Sequence, residues 1–167
     1  MSDFSYRGIG FRKHGPPTDP KAITKLEKKL EARFPDDYRQ FLLTMDGGVP
    51  ERYWGLVVSV YNEPITEKLI EFYTVARGQE NDILGALVGY DFNQRVPDLI
   101  IPIGRFFADY MPCISLRKED YGRMYIWAPL ELWNTEDEVL VQSEEELFFL
   151  ANSFNEFLDK LQPIAEE

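Results

Sequence analysis

One stretch of this chain, residues 34–48, contains the signals for both ends of a helix. Pro35 suits the first helical position, where no N–H is needed, and the two aspartates after it place negative charge beside the positive end of the helix dipole. Apolar residues recur at helical spacing and form one stripe: Tyr38, Phe41, Leu42 and Met45. Gly47 can take the left-handed conformation that ends a helix. The stretch therefore predicts a helix near residues 35–46 that buries Phe41.

The composition is typical of a globular domain. The chain has 167 residues, of which 44% are hydrophobic and 14% aromatic, so it can bury a core. We expect one domain over residues 1–167, because no linker or repeat divides the chain. No apolar run approaches the ~18 residues of a membrane span, the N-terminus lacks a signal-peptide pattern, and the single Cys113 cannot form an internal disulfide. These features favour the cytoplasm and argue against a membrane protein.

The chain is acidic, with 18 Lys and Arg against 29 Asp and Glu and a net charge of −11. Binding to a phosphate backbone needs clustered basic residues, so direct nucleic-acid binding is disfavoured. A basic protein partner fits better, because opposite electrostatic fields steer association. Acidity also keeps proteins soluble, and charge by itself favours this simpler explanation.

The N-terminal third combines a polar segment with two helices. Residues 1–18 are rich in Gly and Pro, which predicts a loosely packed arm with a short strand near Phe4–Phe11. Asp19 then caps a helix over residues 20–33 that has proline in its first turn. The helix of residues 35–46 follows after a very short joint, so the two helices must form a hairpin or an elbow.

The middle of the chain changes to strand patterns, rich in β-branched and aromatic residues. We expect a sheet drawn from residues 54–141, with strands at Trp54–Val60, Leu69–Val75, Leu99–Gly104, Met111–Leu116, Arg123–Trp127 and Val139–Val141. Asn62-Glu63-Pro64 marks a turn, and Pro102 suggests an edge strand or a bulge. The segment Gln79–Val88 is ambiguous, and a short helix ending near Gly89 is one interpretation.

A third main helix is predicted over residues 144–162. Ser143 and Glu146 have the spacing of a capping box. Apolar residues then keep the helical period up to Pro163: Leu147, Leu150, Ala151, Phe154, Phe157, Leu158 and Leu161. Because helix-period and strand-period segments separate along the chain, the expected fold class is α+β, with three main helices packed on one sheet.

Several of these segments resemble motifs of the SUKH superfamily, in the family's order. The Pro-acidic-x-Tyr-x-x-Phe-Leu helix closing on Gly-Gly is similar to the family's first signature, and the matches span about residues 19–162. Further matches are Leu99–Gly104, Asp109 followed by Cys113–Leu116, Gly122–Trp127 and Ala151–Leu158. The chain departs from the family at Asp46, where Asn is usual, and at Ala108, where Gly is usual. Gln79–Asn93 and Glu131–Val139 match no family motif, and a specificity-determining surface would be expected to vary there.

The resemblance implies an α+β fold with a mostly antiparallel, curved sheet and helices packed against it. It also implies binding rather than catalysis, since the superfamily joins yeast Smi/Knr-like regulators of cell-wall synthesis to bacterial immunity proteins that neutralise toxins. The leading hypothesis is therefore an immunity protein that binds a basic toxin domain. A general regulatory scaffold that binds proteins or peptides is the second hypothesis, and an enzyme or small-molecule-pocket protein is the third.

No residue pattern indicates catalysis, a metal site or a cofactor. His14, the only histidine, lies in the Gly- and Pro-flanked arm, and Cys113 lies in an apolar strand, where a buried inert thiol is usual. One His and one Cys give no zinc-site spacing, and Gly8-Ile9-Gly10 lacks the context of a phosphate loop. Carboxylate pairs such as Asp91 with Asp98 are explained by solvated acidic loops. We expect no enzyme activity, no bound metal and no cofactor.

Partner binding is instead expected on a loop-rich acidic face with aromatic anchors. Aromatic side chains beside loops and ringed by acids are suited to a basic partner. Asp46 at the end of the signature helix and Asp109 before a strand both fall at positions of family patterns. The candidate residues are Asp46, Tyr53, Asp109, Tyr110, Glu131, Trp133, Glu136, Asp137 and Glu138.

Overall fold

The computed structural model describes residues 4–75, 82–89, 92–130 and 141–165 and has the expected α+β class. The strands are β1 (Ser5–Tyr6), β2 (Ile9–His14), β3 (Gly48–Pro50), β4 (Trp54–Val60), β5 (Glu63–Phe72), β6 (Ile100–Pro102), β7 (Gly104–Phe106), β8 (Met111–Ser115), β9 (Met124–Trp127), β10 (Leu147–Ala151) and β11 (Gln162–Pro163). The helices are α1 (Pro20–Leu30), α2 (Asp36–Thr44), α3 (Ile83–Val88), α4 (Phe92–Arg95) and α5 (Phe154–Lys160).

Within the described residues the strands form two antiparallel sheets, one of seven strands and one of four. The larger has the order β1-β2-β3-β5-β4-β11 with β7 also on β5, and the smaller has the order β10-β9-β8-β6. The larger sheet curls because β5 pairs with β4 along its first part and with β3 and β7 at its end. The predicted strand Leu99–Gly104 is divided: β6 ends at Pro102 as an edge strand of the smaller sheet, and β7 begins at Gly104 in the larger one.

The first two helices form close to their predicted ranges. The Asp19 carboxylate caps α1 by accepting a hydrogen bond from Lys21 N at 2.9 Å, and Glu31 ends the helix in the left-handed conformation, at φ 55°. In α2, Phe41 is buried at 1% exposure, which confirms that the predicted stripe faces the core.

A two-residue turn joins β4 to β5. Tyr61 and Asn62 both have positive φ, at 52° and 63°, and Val60 pairs directly with Glu63. This is the geometry that matches the twist of hairpin strands. The turn therefore lies one residue earlier than predicted. The Tyr61 hydroxyl donates a hydrogen bond to the Ala128 carbonyl at 2.7 Å, so the hairpin tip is tied to the smaller sheet.

The predicted helix over residues 144–162 is wrong in its first half. Leu147–Ala151 forms β10, which pairs antiparallel with β9, and α5 begins only at Phe154. An unbroken apolar run suits a strand as well as a helix. The available partner β9 decides the outcome, because strand pairing and burial outweigh weak local propensity.

Two Ser-x-x-Glu patterns lie in this region, and the second one caps the helix. The Ser153 hydroxyl accepts a hydrogen bond from Glu156 N at 3.0 Å. The Glu156 carboxylate in turn accepts one from Asn152 N. In the first pattern Glu146 is ion-paired with Arg95 and so does not act as a cap. The capping-box prediction at Ser143 is therefore corrected.

Residues 4–14 are packed into the fold, unlike the loosely packed arm expected for residues 1–18. β2 enters the larger sheet beside β3, and Ile9 and Phe11 are buried. The Phe11 ring lies 6.3 Å from that of Phe72 in the core. The expected short strand near Phe4–Phe11 is confirmed as β1 and the start of β2.

An aromatic cluster at the centre of the core joins α2, β5 and α5. The Phe41 ring centroid lies 5.0 Å from those of Phe72 and Phe154. Asp37 in the first turn of α2 accepts a hydrogen bond from Asn155 N at 3.0 Å. This contact satisfies an amide that the first turn of α5 leaves free, so the two helices are joined by capping as well as by packing.

The remaining predictions fall partly on undescribed residues. α3 confirms the short helix within Gln79–Val88 and ends at Val88 with Gly89 as its C-cap, while residues 79–81 lie outside the described residues. For the strand predicted at Val139–Val141, residues 139 and 140 lie outside them and Val141 is not in a strand. In the part of the chain that the structure describes, no helix has the length and apolarity needed to span a membrane.

Candidate functional site

Asp46 lies in the interior and not on a binding face. Its side chain is 3% exposed and accepts a hydrogen bond from Val75 N at 2.7 Å, which links the end of α2 to the chain after β5. An asparagine side-chain oxygen could accept the same bond. The prediction that Asp46 contacts a partner is corrected, because a buried carboxylate that satisfies a backbone amide is not available to one.

Tyr53 and Asp109 belong to an exposed region centred on Phe107, which the sequence analysis did not select. The Lys68 ammonium lies 4.7 Å from the Tyr53 ring centroid and 5.9 Å from that of Phe107, so one cation bridges the two aromatic rings. The Phe107 side chain is 69% exposed. We call Tyr53, Lys68, Phe107 and Asp109 the Phe107 surface.

The loop after β7 holds Phe107 in place through backbone hydrogen bonds. Phe107 N donates to the Lys68 carbonyl at 2.9 Å, and Phe106 N donates to the Tyr110 carbonyl at 2.8 Å. The positive φ of this turn, 64°, falls on Asp109 and not on Ala108, so position 108 does not need a glycine. The exposed aromatic ring is therefore presented by a defined turn.

A buried acid supports the same loop from the inside. Glu67 on β5 is buried, and burial raises the pKa of its carboxyl, while hydrogen bonds from the backbone amides of Ala108 and Lys68 act in the opposite direction. On the outside, Arg105 contacts Asp109 at 3.5 Å and Glu71 at 3.0 Å. The loop is thus fixed on both of its sides.

Tyr110 follows in the same loop, but its side chain is half-buried and lies electrostatically close to Tyr61. Burial is the main cause that raises the pKa of Tyr61 to about 12, and Glu146 and Tyr110 add to the effect. The Tyr110 carbonyl therefore helps to hold the loop that carries Phe107, while its side chain interacts with Tyr61 at the tip of the β4–β5 hairpin.

Five other candidates, Glu131, Trp133, Glu136, Asp137 and Glu138, lie outside the described residues. The chain on either side of them is fixed. Glu146 accepts hydrogen bonds from Trp127 Nε1 and Leu130 N, both at 3.3 Å, and it is ion-paired with Arg95 of α4. Gln142 Nε2 donates to Asp98 Oδ1 at 2.9 Å. The flanks of the two regions without family motifs therefore meet around Arg95.

His14 and Cys113, the residues weighed as candidates for catalysis, are packed against other parts of the fold. The His14 ring stacks on Phe4 with centroids 4.1 Å apart, and Cys113 is fully buried, which raises the pKa of its thiol well above the usual value. Among residues 4–75, 82–89, 92–130 and 141–165, no group of three or more His, Cys, Asp or Glu side chains is placed to hold a metal ion. Absence of catalytic activity stays a prediction.

Comparison with known proteins identifies a family. The model of the SMI1 / KNR4 family (SUKH-1) matches residues 17–160 of the chain, which is most of its length. A search of curated proteins found no match. The matched range begins just before α1 and ends at the last residue of α5, so it contains the aromatic cluster, the Phe107 surface, the whole smaller sheet and the larger sheet apart from β1, β2 and β11.

Proposed function

Because the chain belongs to the SMI1 / KNR4 family (SUKH-1), we propose that it is a non-catalytic, cytoplasmic protein-binding domain, and specifically an immunity protein that binds and neutralises a bacterial toxin. The family match over residues 17–160 is the observation that carries the proposal. The net charge of −11 supports a basic toxin domain as the partner, because opposite fields accelerate association.

The Phe107 surface is the described region best suited to this role. A large, exposed apolar side chain on a well-held turn can enter a partner pocket with little loss of conformational entropy. Asp109 beside it retains partly exposed negative charge, since its side chain is 46% exposed despite the contact with Arg105. Aromatic anchors next to charged rims are typical of energetically important interface positions.

The first experiment identifies the partner. A pull-down or two-hybrid screen against the products of neighbouring genes should recover a basic protein, and co-expression of this chain should protect cells from that protein's toxicity. Recovery of a non-toxic regulatory protein would favour the second hypothesis, a general scaffold. Absence of any partner together with turnover in a hydrolase screen would contradict both and favour an enzyme.

The second experiment tests the surface. Phe107→Ala should weaken binding by about tenfold or more, mainly through faster dissociation, as expected for a central aromatic contact. Phe149→Ala is the matched control, because Phe149 is also an exposed phenylalanine but lies on β10 beneath Arg123 and Lys160. Equal effects of the two substitutions would show that Phe107 is not the anchor.

The acidic segment is tested separately. Reversing Glu136, Asp137 and Glu138 to Lys should slow association and make it less sensitive to salt, while leaving the fold intact. Unchanged association rates at low salt would mean that these acids only keep the segment soluble. This arm does not depend on the Phe107 surface, so the two candidate regions can fail independently.

A further inference from the structure

A cleft of about 380 Å³ lies between the end of α1 and the segment that runs from α4 into β6. One wall is formed by the end of α1 and by α3, and the other by the segment from α4 to β6. The lining residues are Lys29, Leu30, Glu31, Leu87, Phe92, Asn93, Val96, Pro97, Asp98, Leu99, Ile100 and Ile101. None of these residues belongs to the Phe107 surface. The cleft borders the region where the flanks of the two unmatched segments meet, since Asn93 and Asp98 are both bonded to Gln142.

The floor of the cleft is apolar. Phe92, Val96 and Ile100 are buried in the core beneath it, and Leu30, Leu87 and Leu99 are half-buried around it. Half-buried leucines at a concave surface are buried further when an apolar side chain enters, which is favourable because apolar area is removed from water. The shape and lining therefore suit one aliphatic or aromatic side chain of a ligand.

The rim of the cleft favours positive charge. Glu31 and Asp98 are exposed at the rim, and among the described residues no cation lies within ion-pair distance of either carboxylate. Asp98 is bonded to the neutral amide of Gln142. Among the described residues of the lining Lys29 is the one cation, so their ionisable side chains carry a net charge of about −1 at neutral pH. The carbonyl end of α1, a helix of 11 residues, adds partial negative charge at the same wall.

The two walls are held in shape by unusual backbone. Glu31 has φ 55° and Leu99 has φ 69°, the left-handed region that a branched side chain such as leucine rarely occupies. The Leu99 carbonyl accepts a hydrogen bond from Leu116 N at 2.7 Å, which fixes this conformation against β8. The cleft is therefore preformed, and a ligand would not have to order it.

We propose that this cleft binds a peptide segment in which an aliphatic or aromatic side chain is next to an arginine or lysine. The apolar side chain occupies the leucine-lined floor, and the cation lies at the rim between Glu31 and Asp98. The choice of a peptide as ligand rests on the proposed protein-binding function, and the cleft gives that function a second contact, distinct from the Phe107 surface.

The test uses methyl NMR of the whole chain with two short capped peptides, one of alternating leucine and arginine and one of alternating leucine and glutamate. The arginine peptide should shift the methyl signals of Leu30, Leu87, Val96 and Leu99 and bind on the order of tenfold more tightly than the glutamate peptide. No shift of these methyl signals with the arginine peptide, or equal affinity for both peptides, would overturn the proposal.

Matched variants separate the rim from the general acidity of the protein. Glu31→Gln with Asp98→Asn should weaken the arginine peptide about fivefold, and Lys29→Gln should tighten it about twofold, since exposed charge contacts are individually weak. Glu63→Gln with Glu119→Gln makes the same change in net charge at exposed acids outside the cleft and should have no such effect. Equal weakening by the two double variants would overturn the proposal. Because no toxin is used, this result is independent of whether a toxin partner is found.

Discussion

Phe41 and Phe107 are the same side chain in opposite surroundings. Phe41 is 1% exposed and lies within about 5 Å of three rings, those of Tyr6, Phe72 and Phe154. Phe107 is 69% exposed, and its described ring contact is with the ammonium of Lys68. Burial turns one phenylalanine into a source of stability, while the other keeps its apolar area available for a partner.

The largest expected effect on stability comes from removing the buried phenylalanine. Phe41→Ala should lower the free energy of unfolding by about 3–5 kcal/mol, because it empties the centre of the aromatic cluster. Chemical denaturation of the variant and the wild type measures the difference. A loss below about 1 kcal/mol would contradict the packing described for α2.

The second effect concerns a partly buried polar network around Asp120. Asp120 accepts hydrogen bonds from Ser115, Arg117 and Tyr125 in the β8–β9 hairpin. Burial of the carboxyl acts to raise its pKa, but these bonds outweigh it and lower the pKa to about 2. Asp120→Asn should cost about 2 kcal/mol at neutral pH, and not more, because Arg117 keeps its contact with Glu144 at 3.0 Å.

The same pKa sets a pH dependence with a definite sign. A carboxyl whose pKa is lower in the folded than in the unfolded state stabilises the fold at any pH above its unfolded-state pKa. This contribution is therefore nearly complete above about pH 4 and is lost as the pH falls towards 2. The wild type should lose about 2 kcal/mol more than Asp120→Asn over this interval. Parallel stability curves for the two proteins between pH 4 and 2 would rule out the network as the cause.

A smaller effect distinguishes the two capping patterns. Ser153→Ala should cost about 1 kcal/mol, since it removes the side-chain cap of α5. Ser143→Ala should cost less than about 0.5 kcal/mol, because no helix begins there and its described bond to Glu145 N is long, at 3.4 Å. Thermal melts of the two variants measure these differences, and equal losses of stability would support the helix predicted to begin at Ser143.

The smallest effect on stability is expected at the exposed phenylalanine. Phe107→Ala should change the free energy of unfolding by less than about 0.5 kcal/mol, because the ring makes few contacts that folding creates. Denaturation measured beside partner dissociation completes the comparison with Phe41. A loss of stability as large as that of Phe41→Ala would mean that Phe107 belongs to the core.

The sequence predicts elements well where local and long-range preferences agree. The signature helix has a charged first turn, an apolar stripe and a terminal glycine, and α2 follows it closely. β4 has the predicted ends because its pattern admits one interpretation. Residues 147–151 satisfy helix and strand patterns equally, and only the position of β9 in space decides between them. Ile9 and Phe11 are buried, although the glycines and prolines around them predict a loosely packed segment.

The site was less predictable for a related reason. The sequence selects acids and aromatic residues beside loops, but burial of Asp46 depends on Val75, which is far from it along the chain. Phe106 ends β7 with its side chain in the core, while Phe107 is the first residue of the following turn and its side chain is in solvent. The inward and outward alternation of β7, continued by one residue past its end, is the signal that could have identified Phe107 as exposed.

The joining of α2 to α5 has a consequence for the order in which the molecule is made. Asp37 and Asn155 are 118 residues apart, and β11 closes on β4 only through Gln162 and Pro163. When the ribosome has produced the chain only up to β9, the signature helix α2 is still without Phe154 and Phe157 of α5, which cover its apolar stripe in the folded protein. Closing such long loops is slow, and the uncovered stripe is prone to aggregate meanwhile. We therefore expect nascent chains halted before residue 154 to depend on chaperones, and full-length chains to become protease-resistant only after α5 is released.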